Sequence, residues 1–175
     1  MTKYDDIYDI AIDNYGFITS EQARGVGVTN NELVQYAKRG TLERVGQGVY
    51  RLSRHISSPF DTYALAVALA GSGARLYGES VIAMLNLAPT NPAHVHVAVP
   101  GRIRRKLPDW LDVTRIAADE PVAIYEGIPS QPVDFSIRSC QGKMMDERLV
   151  EAVNNARAQG YLSRAQTHDL LEVLL

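Results

Sequence analysis

At 175 residues the chain suits one large domain or two small ones, and a hydrophobic content of 46% is ordinary for a chain that buries a core. A net charge of −2 excludes a polycation, so any nucleic-acid footprint has to be local. The N-terminus carries acids where a signal peptide needs positive charge, and no run approaches the ~20 apolar residues that span a bilayer, which predicts a soluble, cytoplasmic protein without a membrane partner.

Lys3 to Tyr15 reads as an amphipathic helix, with Ile7, Tyr8, Ala11, Ile12 and Tyr15 on the buried side and the aspartates outside. Gly16 ends it, and Phe17-Ile18 leads on as a short strand pairing with a later hairpin. Thr19 and Gln22 then form a capping box, with Ile18 placed to staple onto Ala23. Gly25 and Gly27 break this helix within a few residues of the next cap. Thr29 and Glu32 form a second box, with Val28 and Leu33 as its staple. In this next helix Leu33, Tyr36 and Ala37 share one face, while Asn31, Gln35 and Lys38 share the opposite one with Arg39 at its edge. Gly40 supplies the left-handed stop. Two short strands follow, Leu42–Val45 and Val49–Leu52, around a Gly46-Gln47-Gly48 loop. Short helices joined by a tight glycine-containing turn and followed by a hairpin read as a winged helix-turn-helix.

That arrangement nominates side chains. An outer face of Asn31, Gln35, Lys38 and Arg39, with Thr29 and Asn30 at the helix start, suits the major groove, where amides pair with adenine and cations with guanine or phosphate. Arg44, Gln47 and Arg51 on the hairpin are candidates for backbone contact, which positions a module without specifying sequence. The charge distribution agrees. Between Ser20 and Arg54 the basic residues Arg24, Lys38, Arg39, Arg44, Arg51 and Arg54 outnumber the acids Glu21, Glu32 and Glu43.

Arg54 to Ser58 is a polar boundary that divides the chain into domains at about 1–55 and 59–175. The second reads as mixed α/β, so the fold class is α+β. Ser58 is an N-cap with Pro59 at the first helical position, opening an almost wholly apolar helix to Ala70 that should be central. Ser80 caps a short helix, and His94–Val99 alternates like a strand. Further strands are expected at Val113–Ile116, Val122–Tyr125 and Val133–Ile137, and closing helices at about Asp146–Gln159 and Arg164–Leu174. The lone cysteine, Cys140, excludes an internal disulfide and reads as a half-buried structural thiol in or just after the last strand.

Three stretches, YGFITSEQARGVGVTNNELVQYAKRGTLERVGQGVYRL, GARLYGESVIAMLNLAP and GIPSQPVDFSIRSC with DERLVEAVNNARAQGYLSRAQTHDLLEVL, together resemble the AbiEi-type antitoxins of AbiE (type IV) toxin–antitoxin pairs. The resemblance implies a DNA-binding repressor of its own operon whose partner is a nucleotidyltransferase-like toxin. The chain is short for that family, which implies a pared-down second domain. A stand-alone regulator, whose second domain dimerises or senses a signal, is the alternative.

Other motifs weigh less. Arg102, Arg104, Arg105 and Lys106 read first as an ordinary charged loop, with a second DNA contact or a partner-binding patch as alternatives. His94 and His96 point to one side of a strand, but an H-x-H pair without a nearby Cys, Asp or Glu is read as structural, and no metal or cofactor is expected. GSGARLYGES opens like a nucleotidyltransferase yet lacks the paired aspartates that would hold magnesium. No carboxylate is followed by a strand bearing Glu-x-Lys, as a nuclease would need. Ser80 lacks the following glycine of a nucleophile elbow. No catalytic residue is nominated.

Overall fold

A computed structural model describes residues 1–175. Helix α1 (Lys3–Ile12) starts from a capping box of Thr2 and Asp5, in addition to the boxes expected at Thr19 and Thr29. It stops earlier than Tyr15, because Tyr15 (φ 57°) and Gly16 (φ 83°) are both left-handed and turn the chain into β1 (Phe17–Thr19). Of the five residues expected on its inner side, only Ile7 and Ala11 are buried; Tyr8 and Ile12 are 41% and 54% exposed. Strand β1 hands over to α2 (Ser20–Gly25), capped by Thr19 and Gln22 as expected.

Both short helices of the pair end in the same way. After α2 the amide of Val28 donates to Ala23 O and that of Gly27 to Arg24 O, with Gly27 at φ 79°. After α3 (Asn30–Lys38) the amide of Thr41 donates to Tyr36 O and that of Gly40 to Ala37 O, with Gly40 at φ 80°. These six-to-one and five-to-two bonds satisfy the last carbonyls, and glycine adopts the left-handed position without strain. The hairpin β2 (Leu42–Gly46) and β3 (Val49–Leu52) is tighter than expected. Gly46 joins the ladder opposite Val49 after a bulge, which leaves Gln47-Gly48 as the tip. β1 pairs with β3, so the order is β1-β3-β2, all antiparallel. Ile18, Leu42, Tyr50 and Leu52 on one face join Ile7, Ala11, Ala23, Val28 and Leu33 in the N-terminal core.

Helix α4 (Asp61–Ala70) begins later than expected. Ser58 does not cap it; its hydroxyl accepts from the Phe60 amide and donates to Asp61, so Pro59-Phe60 form a turn before the helix. The helix is central. It packs on β4 (Arg75–Leu76), β5 (Val95–Val99) and β8 (Ile128–Ser130), and it also meets β1. The five-stranded sheet has the order β6-β5-β4-β8-β7, with β6 at Leu111–Arg115 and β7 at Ala123–Tyr125. Helix α5 (Glu79–Met84) follows Gly78 rather than a Ser80 cap.

Val133–Ile137 is the largest correction: it is not a strand but helix α6 (Val133–Ser139). Val133, Phe135 and Ile137 mimic strand alternation, yet the buried set is Val133, Ser136, Ile137 and Cys140, at helical spacing, with Phe135 44% exposed. The helix can bury Ser136 because its hydroxyl donates to the carbonyls of Gln131 and Pro132. Cys140 therefore ends a helix, and it is fully rather than half buried. Helices α7 (Asp146–Ala158) and α8 (Arg164–Leu174) close the chain where expected, the second behind a Ser163–Gln166 capping box.

The larger core contains Phe17 and Val49 together with residues from Ala66 to Leu170. The three-stranded sheet is thus covered on both faces, by its own helices on one and by the second unit on the other. The approach is close at Gly46, where a Cβ would lie 2.2 Å from Leu69 Cδ2.

Candidate nucleic-acid interface

Helix α3 is held by its inner face. Leu33 is fully buried, and Tyr36 packs against Tyr4 of α1 at a ring separation of 5.4 Å. Its first turn is fixed twice: Thr29 caps it, and Glu32 accepts from both the Thr29 amide (2.8 Å) and Lys3 Nζ (2.7 Å). The bond from Lys3 holds the Glu32 carboxyl below its ordinary range, and the same bond raises Lys3. Glu32 is thereby occupied at the base of the helix and its charge is offset by Lys3.

The opposite face is open. Thr29, Asn30, Asn31, Gln35, Lys38 and Arg39 are all exposed, and none is engaged in a side-chain ion pair. The second unit does not cover them. Val34, 40% exposed and not among the sequence candidates, borders this face beside Asn31 and Lys38, on the side away from Gln35. An aliphatic at this edge suits the methyl group that thymine presents in the major groove.

The hairpin candidates do not act as one group. Arg44 stands opposite Tyr50 in the register, on the sheet face that carries the three helices, and it is exposed. Arg51 stands opposite Glu43 and Phe17, on the other face, and its Nη2 donates to Glu43 at 2.8 Å. A phosphate would have to displace that carboxylate. Gln47 is exposed at the tip, beside Leu69 and Arg105 of the second unit. Arg44 therefore falls with the α3 row, and the other two do not.

The Arg102–Lys106 run is a loop, as first read, but not a uniform patch. Arg102, Arg104 and Lys106 are exposed, whereas Arg105 turns inward and donates through Nη2 to Leu69 O at 2.5 Å. The enzyme-like motifs are occupied structurally. Ser80 is fully buried and accepts from the His96 amide, His94 Nδ1 meets Asp112 at 3.0 Å, and His96 Nε2 meets Thr114 at 2.5 Å. No helix is long and apolar enough to cross a membrane.

No curated protein sequence matches the chain. Among solved structures it is similar to the RV2827C protein from Mycobacterium tuberculosis, at 17% identity and a TM-score of 0.40, over 98% of this chain and 81% of that one. Residues 5–53, which run from within α1 to the end of β3, match the model of the family described as transcriptional regulator, AbiEi antitoxin.

Proposed function

We propose that this protein is a DNA-binding repressor of the antitoxin type, which occupies the operator of its own operon in the cytoplasm and counteracts a nucleotidyltransferase-like toxin. The observation that carries the DNA half is the outward row of α3: Asn31, Val34, Gln35 and Lys38 exposed on a helix pinned from behind, in the segment that matches a transcriptional regulator family. In this reading α3 enters the major groove, Arg39 and Arg44 meet phosphates at its flanks, and the chain carries no catalysis. Residues 1–55 supply the DNA contact, and residues 59–175 supply the surface for the toxin. The exposed Arg102, Arg104 and Lys106 are available to either partner.

Binding of the protein to DNA from immediately upstream of its own gene, followed by fluorescence anisotropy at low salt, tests this. Gln35→Ala should weaken operator binding by about 1–3 kcal/mol and relax selectivity, while leaving non-specific binding nearly unchanged. Equal losses on operator and random DNA would remove Gln35 from base readout. The family match ends at residue 53, and that favours one second reading: a stand-alone regulator whose second unit dimerises or senses a signal. Co-expression with an adjacent nucleotidyltransferase-like gene separates the two, because only an antitoxin restores growth.

A further inference from the structure

A cleft of about 540 Å³ separates the winged helix from the second unit. Its walls are the wing tip at Gln47 and Gly48, the sheet face at Phe17 and Val49, and the side of α4 at Ala64 and Ala68. That volume falls within the range of small-molecule sites, and the lining is mixed: an apolar strip of Phe17, Val49, Ala64 and Ala68 runs beside polar groups such as Asn14, Gln22, Gln47 and Ser72. Two charged residues line it, Arg105 and Glu21. Glu21 is exposed, so its charge is solvated and screened. Arg105 is half-buried and has no carboxylate within ion-pair distance. It donates only to Leu69 O, at the end of α4, which leaves the rest of a five-donor guanidinium without a protein acceptor. Gly71, at φ 97°, makes room for it, since a Cβ there would lie 3.0 Å from Nη2.

A half-buried guanidinium that lacks a counter-charge beside an apolar cleft is an anion site with an apolar extension. We propose that this cleft binds a small amphipathic anion, a carboxylate, sulfonate or phosphate head on Arg105 with an apolar body between α4 and the sheet face. Since the wing tip is one wall, the occupant touches both units. Its binding is coupled to the relation of the wing to α4, and through it to DNA affinity. The coupling rests on the DNA reading given above; the ligand site does not.

Anilinonaphthalene sulfonate, an aromatic body with one anionic group, is the probe. It should bind the folded full-length protein saturably at one site. Arg105→Met should weaken it by about tenfold, as expected for the loss of a charge-assisted bond. Ala68→Leu, which fills the cleft without touching the charge, should weaken it as much. Arg104→Met, the same charge change on the exposed neighbour, should leave binding unchanged. Phenylnaphthylamine, the neutral analogue, should bind the wild type more weakly than the sulfonate. Unsaturable binding, equal affinity in wild type and Ala68→Leu, or equal affinity for the neutral analogue would overturn the site. With operator DNA, saturating probe should shift the binding midpoint by about fivefold or more in the wild type and not in Ala68→Leu. No shift, or the same shift in both, would overturn the coupling. A ligand-free protein that never binds the operator would refute the repressor reading instead, and the fluorescence arms would still decide the site.

Discussion

Gly46 is where the wing and the second unit come closest, and it offers the most direct test of how they are joined. Its backbone is not left-handed, so alanine is conformationally allowed there, and the added Cβ would face Leu69 Cδ2 at 2.2 Å. Carbon atoms pack comfortably at about 3.5–4.0 Å, so the methyl would intrude by more than ~1 Å. Leu69 is 4% exposed and belongs to the larger core, and it therefore cannot simply rotate into solvent. Overpacking of this size costs about 1–3 kcal/mol, less the ~0.4–1 kcal/mol that alanine gains over glycine by restricting the unfolded chain. At about 2–4 °C per kcal/mol for a chain of this length, Gly46→Ala should lower the melting temperature by several degrees. Urea unfolding followed by circular dichroism measures the free-energy loss directly, and a thermal scan the shift in melting temperature. Gly25→Ala is the internal control, because a Cβ there meets nothing within 4 Å, and it should be neutral or stabilising. Leu69→Ala alone should cost about 2–5 kcal/mol. In that background the Gly46→Ala penalty should vanish, since the atom it struck is gone. Strictly additive losses in the double mutant would refute the contact and the close seating of the wing on α4.

Three further outcomes are expected. Thr29→Ala removes the α3 cap and should cost about 0.5–2 kcal/mol of stability in the same urea assay, while Thr29→Ser should cost little; equal losses would rule out the cap as the cause. Burial pushes the Asp61 carboxyl up, but its bonds with His55 and Ser58 together outweigh that and leave it below its ordinary value. A carboxyl lowered on folding adds stability above the unfolded value of about 3.9 that is lost as pH falls through the folded one, so Asp61→Asn should flatten the acid limb of a stability–pH curve below about pH 4; an unchanged limb would contradict this. Burial pushes the Cys140 thiol up to about 11, with 2% of the residue exposed, so iodoacetamide at about pH 8 should label it only after denaturant is added. Rapid labelling of the native protein would refute that placement.

The N-terminal unit was legible because its signals are local. Two capping boxes, two staples and the glycine stops each fix a boundary within a few residues, and the Thr19 and Thr29 boxes form in the structure. The Thr2–Asp5 box is a further signal of the same kind, not among those expected. The second unit was less legible where burial is decided at long range. Val133–Ser139 alternates on paper, and only the acceptance of the Ser136 hydroxyl by two carbonyls lets a polar residue occupy the buried helical position. Ile128–Ser130 was missed as a strand because Pro129 sits inside it; the strand is short, and Gln131 and Leu76 complete its pairing beyond the proline. Of the candidate interface, the α3 row was readable from helical spacing alone. The fate of Arg51 and Arg105 was not. It depends on Glu43 across the hairpin and on the end of α4, 36 residues away from Arg105.

The covering of both faces of the three-stranded sheet constrains how DNA can be met. A wing attached only by its hairpin can swing to follow a phosphate backbone. Here Phe17 and Val49 sit in the second core, Tyr15 Oη donates to Glu126 O at 2.5 Å, and Leu69 abuts Gly46. Lifting the wing would expose that apolar surface at about 25 cal/mol per Å². In the proposed reading, adaptation to DNA therefore falls to the side chains of α3 and to Arg44, which stand on the face away from the second unit. Arg51, paired with Glu43 on the covered face, contributes less than its position in the sequence suggests. In that reading the second unit also bears on α3 through packing: α4 meets β1, β1 pairs with β3, and β3 shares its core with Leu33 through Tyr50 and Leu52.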